Sequence, residues 1–314
     1  MDTRKLIKFG ESSYVISVPQ AWVTKNKLNK GDSVYLEELE KGLLVNPNKE
    51  ELKKEQKRVI SAGNRSTNSL QREIISAYLN NCNVIEIQGK DIMAKAKPLT
   101  DFIRKLMSFE IIEQTSSRIV VRDFLNLKDI SIHDIVRRMD IITRAMMEDA
   151  VLCTKQDLCS NIDYRDLDVN RFYYLIFRVI KGGMKDPNIA RTLKITQGEL
   201  LDYYRLISSM EDIADGVKRV ARSFAKLKLS PKKKKELCDL FKSVQKSYLE
   251  AMKSYYTRDR ELADQHSELG KELMLKCNKF LEDKSCAEVP SIVEKLKVIV
   301  KNVRNIARVT LDLE

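Results

Sequence analysis

From Ile130 to the C-terminus, apolar residues recur every three to four positions. Ile132, Ile135, Met139, Ile142, Met146, Ala150 and Cys153 form one stripe, and Tyr203, Ile207, Met210, Ala214, Val217, Ala221 and Phe224 form another. That period belongs to helices that bury one face. Breaks near Asn161, Asp186-Pro187, Ser230-Pro231, Tyr256 to Arg260 and Val289-Pro290 divide the region into six long helices. Short joints predict two antiparallel three-helix units in tandem, over about 130–229 and 230–314. The halves echo each other, since Val217-Lys218-Arg219-Val220-Ala221-Arg222 is similar to Val303-Arg304-Asn305-Ile306-Ala307-Arg308.

Upstream the pattern changes twice. Residues 48–127 mix periods: Leu70 to Leu79 and Pro98 to Met107 read as helices, and Val84 to Ile87, Ile111-Ile112 and Ile119 to Val121 read as strands. Residues 1–47 are β-rich. Tyr14 to Val18 is a strand stopped by Pro19, Gln20 to Asn26 is a short helix carrying Trp22, and turns at Gly31-Asp32 and Lys41-Gly42 lead into Ser33 to Leu36 and Leu43 to Val45. The expected fold is mainly α, with a β head at 1–47, an α/β connecting segment at 48–127 and a helical body at 128–314. A unit of fewer than about 50 residues needs a metal, disulfides or a second copy of itself to be stable. With no metal or disulfide signature in the head, an interleaved homodimer is expected.

Composition narrows the chemistry. Ten Gly and six Pro in 314 residues favour long uninterrupted elements, and 57 Lys+Arg against 45 Asp+Glu favour a polyanionic partner. The excess is uneven. Residues 1–31 hold Arg4, Lys5, Lys8, Lys25, Lys27 and Lys30 against Asp2 and Glu11, whereas residues 32–47 hold Lys41 against Asp32, Glu37, Glu38 and Glu40. Six scattered cysteines and two histidines form no zinc pattern. Nucleotide-binding glycine motifs, a nucleophile elbow and HExxH are all missing, so no enzyme is expected. No apolar stretch approaches a membrane span and no apolar segment follows Met1, so a cytoplasmic protein is expected.

Two resemblances follow from particular residues. Arg4-Lys5-Leu6, Ile16-Ser17-Val18-Pro19, Leu28, Gly31-Asp32 and Val34 resemble the SpoVT/AbrB-type swapped-hairpin domain across residues 3–46. The resemblance implies a dimer that binds DNA, through Arg4, Lys5, Lys8, Lys25, Lys27 and Lys30. Such heads often place arginines soon after the proline, where this chain has Val23-Thr24. Because Arg reads bases by bidentate contacts, the departure favours backbone affinity over sequence readout. Tyr164 to Arg171 and Met210 to Asp215 resemble the PhoU family of paired three-helix bundles. Together the two parts resemble archaeal phosphate-uptake regulators.

The PhoU resemblance implies a divalent metal or iron held by Asp166, Glu211 and Asp215, with Asn170 standing where the family pattern has a further Asp. The competing reading is a salt-bridged face, because Lys218 and Arg219 follow Asp215 at i+3 and i+4. In the second repeat Lys297 and Lys301 replace the acidic pair. Lys297, Lys301, Arg304 and Arg308 then face Glu261, Asp264, Glu268 and Glu272, predicting interhelical ion pairs, with an anion site as the alternative. Lys232 to Lys235 reads as an exposed joint at a helix start, and Gly182-Gly183 as a helix C-cap.

The expected function is DNA-binding transcriptional regulation of phosphate uptake, with the body sensing phosphate status through a metal or a protein partner. The alternative is a non-DNA-binding dimeric adaptor that docks on a phosphate transporter or sensor kinase.

Overall fold

In the computed structural model, described over residues 3–39, 42–47, 56–90, 92–153, 158–226, 229–282 and 289–313, the chain divides into units Met1–Glu55 and Gln56–Glu314. The first unit contains two separate antiparallel hairpins. Strands β1 (Ile7–Phe9) and β2 (Ser13–Val15) pair across a turn whose Gly10 has φ 71°, with Lys8 opposite Tyr14. Pro19 opens helix α1 (Gln20–Lys25), and β3 (Tyr35–Leu39) pairs with β4 (Gly42–Asn46). Lys41, at the expected second turn, lies outside the described residues. None of the described side chains of this unit is buried. Leu6, Ile7, Phe9, Tyr14 and Leu36 are each more than 60% exposed.

The second unit begins with a four-stranded sheet of order β5-β6-β8-β7, built from β5 (Lys57–Ser61), β6 (Val84–Gln88), β7 (Phe109–Gln114) and β8 (Arg118–Asp123). Strands β5 and β6 are parallel and the other pairings antiparallel. Helices α2 (Thr67–Leu79) and α3 (Ile92–Ile103) supply Leu70, Ile74 and Leu99 to a core shared with Ile60, Ile85, Ile87 and Val121. Strand β5 was not expected from sequence, because only its Ile60 is buried. Helix α3 starts before Pro98 and ends before Met107. The buried spacing Ile92, Ala96, Leu99 and Ile103 sustains a helix through a proline usually confined to first turns.

The body consists of α4 (Ile132–Leu152), α5 (Cys159–Lys185), a short α6 (Pro187–Thr192), α7 (Gln197–Lys226), α8 (Pro231–Thr257), α9 (Arg260–Glu282) and α10 (Val289–Asp312). Among the described residues, six long helices match the expected count, and α6 is an addition. Helices α4, α5 and α7 pack together, as do α8, α9 and α10, and the sets meet along α7–α10 and α4–α8. Thr196 and Glu199 form a reciprocal capping box at the start of α7. Lys232 to Lys235 is the first turn of α8, capped by Ser230. Gly182 and Gly183 lie inside the last turn of α5 rather than capping it. A Cβ at Gly182 would lie 3.0 Å from Asn81, and one at Gly183 would lie 2.9 Å from Leu200, so both positions serve close packing. No helix among the described residues is long and apolar enough to cross a membrane.

Sheet and bundle are joined by Arg178 of α5, which is only 2% exposed. Its guanidinium makes a forked ion pair with Asp123, donates from Nε to Asn81 Oδ1 at 2.9 Å and lies 4.6 Å from the Tyr78 ring centroid. Asn81 returns a hydrogen bond from Nδ2 to the Arg178 carbonyl at 3.2 Å. Burial pushes the Tyr78 phenol up to about 12, against the pull of Arg178. Removing one member of a buried pair strands the other charge, at a cost of about 3–5 kcal/mol. Asp123→Ala is therefore predicted to destabilise the second unit by roughly that amount in urea unfolding. The double change Asp123→Leu with Arg178→Met should recover most of the loss.

Candidate nucleic-acid interface and acidic cluster

The six basic residues of positions 1–31 are all exposed. Arg4 and Lys5 lead into β1, Lys8 lies on it, and Lys25 ends α1. Lys27 takes a left-handed φ of 53° and Lys30 precedes Gly31 at φ 98°. The turn carrying them is held by hydrogen bonds: Leu28 N donates to Val23 O at 3.1 Å, Asn29 N to Asp32 Oδ2 at 2.6 Å and Asn26 Nδ2 to the Trp22 carbonyl at 2.8 Å. Lys25, Lys27 and Lys30 therefore project from a fixed loop. Among the described residues no ladder joins the two hairpins of the head.

In the body, the facing sides of α5 and α7 bring Asp166, Glu211 and Asp215 into one cluster. Asp166 is 6% exposed. The Lys218 ammonium lies 2.7 Å from Asp166 Oδ2 and 2.9 Å from Asp215 Oδ1, while Arg219 lies 2.7 Å from Asp215 Oδ2. Asn170 donates to Asp166 Oδ2 at 3.2 Å, and Arg222 pairs with Asp163 at 2.8 Å. The arrangement does not fit a bound metal. A side-chain cation lies between two of the three expected ligands, and among the described residues no group of three or more His, Cys, Asp or Glu could hold a metal ion. Lys218 was legible in sequence only as a neighbour of Asp215; that it also reaches Asp166, 52 residues away, is a product of the α5–α7 packing.

Among the described residues, the interhelical ion pairs expected between α9 and α10 do not form. Lys297 bonds Glu294 of its own helix at 3.0 Å, and Glu268 bonds Lys271 of its own helix. Lys301 instead acts electrostatically on Asp212 of α7. Gly270 of α9 carries the Arg304 side chain, which a Cβ there would displace. The helices therefore meet through packing rather than charge.

Two comparisons with known proteins return matches. Residues 7–53 match the family model of the antidote-toxin recognition protein MazE, a bacterial antitoxin. The head is a MazE/AbrB-like domain. A crystal structure of PhoU from Pseudomonas aeruginosa aligns with 58% of this chain and 90% of its own, at 17% sequence identity and a TM-score of 0.40. The chain thus joins a MazE/AbrB-like head to a remainder that is mainly helical. Comparison with curated proteins returns no match.

Glu211 is the member of the cluster without an ion pair. Its carboxyl is pushed up to about 7, first by burial and then by the charges of Asp212, Asp215 and Asp166. A pKa raised above its ordinary 4.5 means that the folded state holds a proton the unfolded state has released. Stability therefore falls as pH rises from about 4.5 to about 7. Glu211→Gln is predicted to gain ~1 kcal/mol over wild type at pH 8, a figure reduced for the partial exposure of the site, and to gain nothing at pH 4. Urea unfolding at the two pH values measures the difference.

Proposed function

We propose that the chain is a DNA-binding regulator of phosphate uptake whose head acts as a homodimer. The observation carrying this reading is a MazE/AbrB-like head with no buried side chain among those described, many exposed large apolar residues and six exposed basic ones. A second copy gives the apolar surface something to cover and doubles the positive charge available to one duplex. Lysine and arginine contacts to phosphates release condensed counterions, so affinity is sequence-independent at first order and steeply dependent on salt. The phosphate assignment rests on the sequence resemblance of Tyr164 to Arg171 and Met210 to Asp215 to PhoU. The body is proposed to report phosphate status through a protein partner from transport or sensor-kinase machinery.

Gel shifts on random duplex test the DNA claim. With six to ten phosphate contacts, affinity should fall by about 10³-fold or more between ~50 and ~200 mM salt. Replacing Lys25, Lys27 and Lys30 by Ala should weaken binding uniformly across sequences and flatten the salt dependence. A protein that remains a dimer by light scattering yet shifts no duplex at low salt would rule the reading out in favour of the docking adaptor.

A further inference from the structure

Carboxylates gathered on a packed helix face repel one another and require compensation by protons, a metal ion or a side-chain cation. At the α5–α7 joint that requirement is met from within the chain. The Lys218 side chain is only 16% exposed, and its ammonium bridges Asp166 on one helix to Asp215 on the other. Both oxygens of Asp215 are taken, one by Lys218 and one by Arg219, and Asp166 Oδ2 also accepts from Asn170. A divalent ion entering here would sit within a few ångströms of an ammonium, which it would have to expel from both bonds.

The repeat supports the same conclusion. Aligning Val217 with Val303 puts Arg304 at the place of Lys218, and Arg304 likewise lies across the preceding helix, over Gly270. Each half thus sends a cationic side chain from its third helix onto its second. Among the described residues, Lys218 is ion-paired to carboxylates and Arg304 is not.

We propose that Lys218 is the resident cation of this cluster: the α5–α7 joint is assembled on an ammonium and takes no metal. What the body responds to therefore does not enter as a metal ion at Asp166, Glu211 and Asp215. This holds whether or not the head binds DNA.

The test uses the full-length protein, stripped with EDTA, equilibrated with Mn²⁺ and desalted, with metal content read by elemental analysis and melting followed with and without Mn²⁺. Wild type should retain no stoichiometric Mn²⁺ and melt at the same temperature in both conditions. Lys218→Met should melt lower than wild type in EDTA and be raised by Mn²⁺, while Lys218→Arg should keep the metal-independent melting of wild type. Wild type that retains roughly one Mn²⁺ per chain, lost in Asp215→Asn, would overturn the proposal. So would Lys218→Met melting as high as wild type in EDTA. Should Lys218→Met fail to fold, the metal content and melting of wild type decide the matter.

Discussion

A buried guanidinium fixes the arrangement of everything after the head. Arg178 is drawn out of the bundle by groups that belong to the sheet: the Asp123 carboxylate at the end of β8, the Asn81 amide after α2 and the Tyr78 ring within α2. Each of these is itself constrained. Asn81 sits at φ 59°, and Asp123 also accepts from Ser108 at 2.8 Å. A charge so far from water tolerates little movement, because any displacement exposes it to unsatisfied desolvation. Two hydrophobic cores, one under the sheet and one in the bundle, lie within one compact unit from Gln56 onward.

The head obeys the opposite economy. Its hairpins expose their apolar side chains, and its charges sit on turns and short strands that hydrogen bonds keep in shape. A surface of that composition is unusual for a chain meant to stand alone in water. Head and body therefore place their ionic residues differently: the body uses charge to fasten helices, whereas the head displays it.

Much of this was legible in the sequence, and the reasons for success and failure are physical. The helical stripes were readable because a buried face imposes its period on fourteen or more consecutive positions; Met139, Met146, Met210, Val217 and Phe224 all fall in the core. The head was readable because Pro19 and Gly31 occupy positions where backbone geometry restricts the choice. Strand β5 escaped because an edge strand with one buried residue has almost no hydrophobic signature, and α3 was misplaced because tertiary packing overrode a proline. Polar architecture was the least accessible. The partners of Arg178 lie 97 and 55 residues away, and charge patterning predicted α9–α10 ion pairs that do not form among the described residues, while giving no hint of the distant bond from Lys218 to Asp166.

The contact between the two halves of the body has one further property. Asp140 on α4 is 2% exposed and receives Arg144 from its own helix together with the hydroxyls of Tyr248 at 2.9 Å and Tyr256 at 3.1 Å from α8. Greasy helices of similar sequence can slide past one another by a turn at little cost, and duplicated bundles are especially exposed to that ambiguity. The two tyrosines are eight residues apart and converge on opposite oxygens of one carboxylate, so displacement of α8 in either direction breaks at least one directional bond in a dry setting. Asp140 thereby acts as an alignment pin, selecting one docking of α8 on α4 among several that hydrophobicity alone would permit.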